Sequence, residues 1–140
     1  MILVTSKNHR NETLENLINK IMQDGFLPDK IFLMGFSQGA CLALEFGLRL
    51  PFAVGGLIPI AGFIKFKELF IKEASIESKE SPILLMHGSK DDVIPISASE
   101  TTYQILTDMK YKVEFLKYDL GHKIPINLSL IHISEPTRPY

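Results

Sequence analysis

Ile31-Phe32-Leu33-Met34 runs directly into Gly35-Phe36-Ser37-Gln38-Gly39, and an almost unbroken apolar run from Ala40 to Leu50 follows. The first four residues are continuous rather than alternating, which suits a strand covered on both faces in a parallel sheet. Gly35 is read as the end of that strand. Ala40 to Leu50 is apolar on nearly all sides and stops at Pro51, which predicts a buried helix. The Gly-x-Ser-x-Gly pattern between them has a steric logic. A serine on a tight, strained strand-to-helix turn pushes its hydroxyl out above the sheet. Glycines at 35 and 39 carry no Cβ, so neighbouring backbone can approach closely. The helix N-terminus places the Gln38 backbone N–H beside a reacting carbonyl, where negative charge develops. The competing reading is an ordinary glycine-rich turn with a capping serine.

Working outward, Asn11 to Asp24 reads as an amphipathic helix with Leu14, Leu17, Ile18 and Ile21 on one buried face. Gly25 stops it and Pro28 forbids its resumption. Val54 to Ile60 is a second strand candidate, weakened by Gly55, Gly56 and Pro59. Phe66 to Ala74 fits a short helix, and Ser75 to Ser81 a polar surface loop. Pro82 leads into a third apolar strand, Ile83 to Met86, ending at His87-Gly88. Ser97 and Glu100 form a capping box for a helix to about Lys110. Val113 to Tyr118 alternates like a strand near a sheet edge. Helix and strand alternate from Asn11 onward, which predicts an α/β fold. Its sheet is expected to be mainly parallel, with helices on both faces. Chemistry in such sheets sits at the carboxyl ends of the strands.

Composition narrows the function. The chain has 140 residues, 46% of them hydrophobic, enough for one domain with a real core. Charge is nearly balanced, 15 Lys and Arg against 16 Asp and Glu, so no nucleic-acid surface is expected. The single Cys41 excludes an internal disulfide and a cysteine-based metal cluster, and reads as buried packing. The uncharged stretch Leu50 to Ile64 is 15 residues long and broken by two prolines and three glycines, too short to span a bilayer. Met1 to Val4 is too short for a signal-peptide apolar region. A cytoplasmic protein without stable membrane insertion is the expectation. No phosphate-binding glycine loop is present, and no metal or organic cofactor is expected.

A serine hydroxyl needs a base, and the base needs an acid to hold its tautomer. His122 follows Gly121 after the last strand. His87 sits at a strand end, where a structural hydrogen bond is the simpler role. His9 precedes the first helix, and His132 lies near the C-terminus. His87-Gly88-Ser89-Lys90-Asp91-Asp92-Val93-Ile94-Pro95 offers two neighbouring carboxylates, and spacing does not choose between them. Ser37, Asp91 and His122 stand 54 and 31 residues apart. That chain order, Ser then Asp then His, belongs to one fold among the convergent triads.

These residues resemble the α/β-hydrolase superfamily. Within it, the chain is similar to the phospholipase/carboxylesterase family, which includes acyl-protein thioesterases and small bacterial carboxylesterases. The likeness rests on Gly-Phe-Ser-Gln-Gly-Ala at 35 to 40 and on Gly55-Gly56-Leu57-Ile58-Pro59-Ile60-Ala61-Gly62. It rests further on His-Gly-x-x-Asp-x-x-Ile-Pro at 87 to 95 and on Gly121-His122. The resemblance implies Ser37 as nucleophile, Asp91 as acid, His122 as base and Gln38 as one oxyanion-hole donor. It also implies a small-molecule or lipid ester or thioester substrate, without choosing between the two or fixing an oligomeric state. A dienelactone-hydrolase or peptidase type is the nearest rival, and a catalytically silent binding module the more distant one.

The chain departs from the family pattern at both ends. No strands are expected before Ile31, whereas the family core has several, together with a loop giving a second oxyanion donor. Met1 reads as an internal methionine. Leu128-Ser-Leu-Ile-His-Ile-Ser-Glu-Pro-Thr-Arg138 resembles the translation of a transposase adapter used to build sequencing libraries. A natural strand from Leu128 to Ile133 is the alternative. The division that follows is a partial α/β-hydrolase domain at 1–127 and an adapter-derived tail at 128–140. A chain so cut is expected to be inactive as it stands.

Overall fold

The computed structural model describes residues 1–5 and 11–125. His9, His132 and the segment 128–140 lie outside the described residues. Five strands form one sheet in the order β1 (Ile2–Val4), β2 (Phe32–Phe36), β3 (Gly56–Ile60), β4 (Ile83–Gly88) and β5 (Val113–Tyr118). All four pairings are parallel. The helices α1 (Asn11–Gln23), α2 (Gln38–Gly47), α3 (Lys67–Glu73) and α4 (Ile96–Asp108) make the crossovers.

The strands lie side by side in the order of the sequence. Crossovers of one hand then place every connecting helix on the same face. The main core follows that rule. Leu14 and Ile18 of α1, Leu44 and Phe46 of α2, Phe70 of α3, and Ile105 and Leu106 of α4 pack in one cluster with Val4, Leu33, Leu57 and Ile83 of the sheet. The opposite face gathers Ile58, Ile60, Leu84, Met86 and Tyr118, with Met34, Phe36 and Ile124 partly buried against them. The described helices thus share one face of an all-parallel sheet, which corrects the expectation of helices on both faces while the parallel α/β architecture stands.

Several local expectations need correction. A strand does precede Ile31: β1 is three residues long, too short to show a period. The second strand continues through Gly35 to Phe36. Its residues are alternately buried and half-buried, because one face lies under helices and the other does not. Leu17 of α1 is 38% exposed. That helix is held by Leu14 and Ile18, each contributing about 1.5–3 kcal/mol by burial. Pro59 lies inside the fully buried β3. It has no N–H, and the ladder to β4 pairs Leu57 with Ile83 and Ile60 with Met86 but skips the residues between.

The predicted capping box does not form. Pro95 is the N-cap of α4, and no side chain caps the helix. Glu100 instead pairs with Lys117 at 3.0 Å. The polar segment Ser75 to Ser81 is no simple surface loop. Ser78 and Ser81 are fully buried; Ser78 Oγ lies 2.8 Å from the Tyr111 hydroxyl, and Ser81 Oγ accepts from the Val54 N–H at 2.9 Å.

Candidate active site

The turn after β2 is built by close approach. A Cβ on Gly35 would collide with the Gly39 carbonyl, and one on Gly39 with the carbonyl of Val4. Ser37 stands at φ 58° and ψ −118° as the N-cap of α2, and its side chain makes no capping bond. An L-residue held there is strained, and the surroundings hold it. The Ser37 N–H donates to the Ile60 carbonyl at 2.8 Å, and the Ser37 carbonyl accepts from Ala40 and Cys41. The hydroxyl is thereby left free to face outward.

What it faces is His122. Ser37 Oγ lies 3.1 Å from His122 Nε2, and His122 Nδ1 lies 2.6 Å from Asp91 Oδ2. Three residues from the ends of β2, β4 and β5 thus meet in one line. Asp91 rather than Asp92 makes this contact. The Asp91 side chain is fully buried, and Asp92 is exposed.

The second carboxylate oxygen, Asp91 Oδ1, accepts from the Val93 N–H at 2.9 Å and the Ile94 N–H at 2.8 Å. Burial pushes the Asp91 carboxyl up. The Ile94 N–H, the His122 ring and the Val93 N–H more than offset that, so the carboxyl sits below its ordinary range.

Two features that the sequence reading missed hold His122. The Phe36 ring lies 4.7 Å from the imidazole at a 42° tilt. A Cβ on Gly88 would collide with the carbonyls of Leu120 and Gly121, so the loop bearing His122 presses directly on the end of β4. Lys90 N–H donates to the Leu120 carbonyl at 3.0 Å across the same seam. The glycine of His-Gly-x-x-Asp was the available signal for this approach.

Gln38 is the first residue of α2 and is exposed beside Ser37. Both open on a groove of about 350 Å³ whose other walls include Val4, Phe36 and Ile124. Cys41, one turn further along α2, is buried, and burial pushes its thiol up. His87 is also buried, bonded to Ser99 Oγ and the Ile94 carbonyl. Among the described residues, no three of His, Cys, Asp and Glu converge as a metal ion requires. No described helix is long and apolar enough to cross a membrane.

A model of the phospholipase/carboxylesterase family matches residues 6–133. The chain belongs to the phospholipase/carboxylesterase family. A probable carboxylesterase of Oryza sativa subsp. japonica is 34% identical over 114 residues, 81% of this chain and 43% of the rice protein. An acyl-protein thioesterase 1 of Neurospora crassa is 34% identical over 112 residues, 76% of this chain and 45% of its own length. The crystal structure of SOBER1 from Arabidopsis thaliana superposes with a TM-score of 0.83 at 29% identity, over 90% of this chain and 60% of that one. The chain therefore spans under half the length of these two sequence relatives. The all-parallel five-stranded sheet with its helices matches an α/β-hydrolase fold, as the resemblance implied.

Proposed function

We propose that this family member is a serine hydrolase that cleaves carboxylic esters or thioesters through an acyl-enzyme. The observation that carries the reading is the unbroken line from Ser37 Oγ through His122 to the Asp91 carboxylate, at 3.1 and 2.6 Å.

In this reading His122 Nε2 takes the Ser37 proton as Oγ attacks the acyl carbonyl. The Gln38 backbone N–H, at the start of α2, donates to the developing oxyanion. The tetrahedral adduct collapses, and His122 returns the proton to the departing alcohol or thiol. Water then attacks the acyl-enzyme, with His122 again as base, and the acid leaves. The buried Asp91 carboxylate keeps the proton of His122 on Nδ1 and stabilises the imidazolium that forms. The apolar wall of Phe36 and Ile124 beside Ser37 suits an acyl chain.

Incubation of a form extended to the length of its relatives with a fluorophosphonate probe tests the assignment. Ser37 Oγ is expected to displace fluoride and carry the label, and Ser37→Ala to abolish it. Labelling that survives in Ser37→Ala overturns the nucleophile. No labelling of that extended native form favours the silent binding module. Turnover of a nitrophenyl ester that Ser37→Ala abolishes would overturn the expected inactivity of the chain as it stands. Faster cleavage of a lactone or peptide than of simple esters favours the rival hydrolase types.

A further inference from the structure

His87 has no task in that mechanism, yet it is fully buried beside the acid. It is the fifth residue of β4, one before Gly88. Its Nε2 lies 2.8 Å from the Ile94 carbonyl oxygen and 3.4 Å from Asp91 Oδ2. Both of those atoms are acceptors while the carboxylate is ionised, so Nε2 carries a proton. Oδ2 is the same oxygen that receives His122 Nδ1 at 2.6 Å. Oδ1 is held by the Val93 and Ile94 N–H groups. The Ile94 residue is thus gripped at both ends, its N–H on the carboxylate and its carbonyl on His87.

The far side of the ring is fixed too. His87 Nδ1 lies 2.6 Å from Ser99 Oγ, and Ser99 Oγ lies 3.0 Å from the Gly62 carbonyl. Ser99 is fully buried in α4. A polar chain therefore runs from the end of β3 through α4 and β4 to the carboxylate. Such chains hold one geometry because a buried group left unpaired is costly.

We propose that His87 is a positioning residue: its Nε2–H, set between Ile94 O and Asp91 Oδ2, aims the Asp91 carboxylate at His122. Ser99 holds the imidazole in that orientation. The inference rests on the reading of Asp91 as the partner of His122, and its test is made on that bond directly, without turnover.

The probe is the far-downfield proton resonance of His122 Nδ1–H in the 140-residue chain, assigned by its loss in His122→Gln. His87→Leu removes both ring nitrogens and is expected to shift that resonance or lose it to exchange. His87→Gln places an amide N–H near Nε2 and is expected to keep it. Ser99→Ala is expected to move it in the same direction as His87→Leu, by less. A folded His87→Leu with an unchanged resonance overturns the proposal. So does a folded His87→Gln that loses it as fully as His87→Leu. Where His87→Leu does not melt cooperatively, Ser99→Ala decides, and an unchanged resonance there overturns it. In a chain that the probe labels, His87→Leu is further expected to slow labelling by up to about a hundredfold, the scale of a misplaced group. A form extended to its relatives' length that is never labelled at Ser37 sinks the hydrolase reading, while the expected resonance changes in the 140-residue chain leave this one standing.

Discussion

The Tyr118 hydroxyl donates to the Lys123 carbonyl at 2.7 Å, so the last residue of β5 clasps the backbone one position beyond His122. The ring is buried, and its hydroxyl is pushed up to about 12, by burial first and by the Asp91 charge second. A hydroxyl raised in the fold stabilises below its ordinary value of about 10 and loses that contribution as pH climbs through about 12. Tyr118→Phe is expected to cost about 1 kcal/mol at neutral pH, the worth of one hydrogen bond. It is also expected to flatten the fall in stability between about pH 10 and 12. Urea titrations of both proteins across that range check the two effects.

Asp91 gives the opposite limb. Its carboxyl lies below the ordinary range, so its contribution is present above the unfolded-state value near 3.9 and is lost as pH falls through the lower, folded value. Asp91→Asn is expected to lower stability at pH 7 and to weaken the acid dependence. Asp92→Asn, at an exposed position, is expected to change neither by more than about 0.5 kcal/mol. Unfolding midpoints from pH 7 down to 3 distinguish them.

The turn at Ser37 is strained. Ser37 at φ 58° is expected to give way to glycine with a gain of about 1 kcal/mol, since glycine meets no Cβ penalty there. Ser37→Gly should melt higher than the native chain. A lower melting temperature than that of the native chain would contradict the strain.

Gly88→Ala tests the seam between the Asp91 and His122 loops. The added methyl meets two carbonyl groups, which are backbone and do not rotate away. The expected cost is about 1–3 kcal/mol, as for overpacking elsewhere. The His122 ring resonances are expected to shift with it. Spectra of the folded variant with an unmoved His122 would contradict the close approach.

How far the sequence carried the reading depended on scale. The turn at 35–39 was legible because steric needs and residue identity coincide there. The strand cores at 83–86 and 113–118 were legible because periodicity and flanking residues agreed. Ser78 and Ser81 were not, since nothing in a polar run reveals that two hydroxyls satisfy Tyr111 and Val54 in the interior. β1 escaped because three residues hold no pattern. The choice of Asp91 over Asp92 came from resemblance alone; in the fold it follows from which carboxylate the Val93 and Ile94 N–H groups turn inward. His87 was read as structural, and its ties to Ser99 and Ile94 fit that, but its 3.4 Å approach to the Asp91 carboxylate needed coordinates.

β5 forms one margin of the described sheet, whereas β2, which carries Ser37, is flanked by β1 and β3. Margins fray at lower free energy than interior strands. The imidazole is therefore tethered just beyond a margin strand, and the hydroxyl just beyond an interior one. Amide exchange at 113–118 should outrun exchange at 32–36.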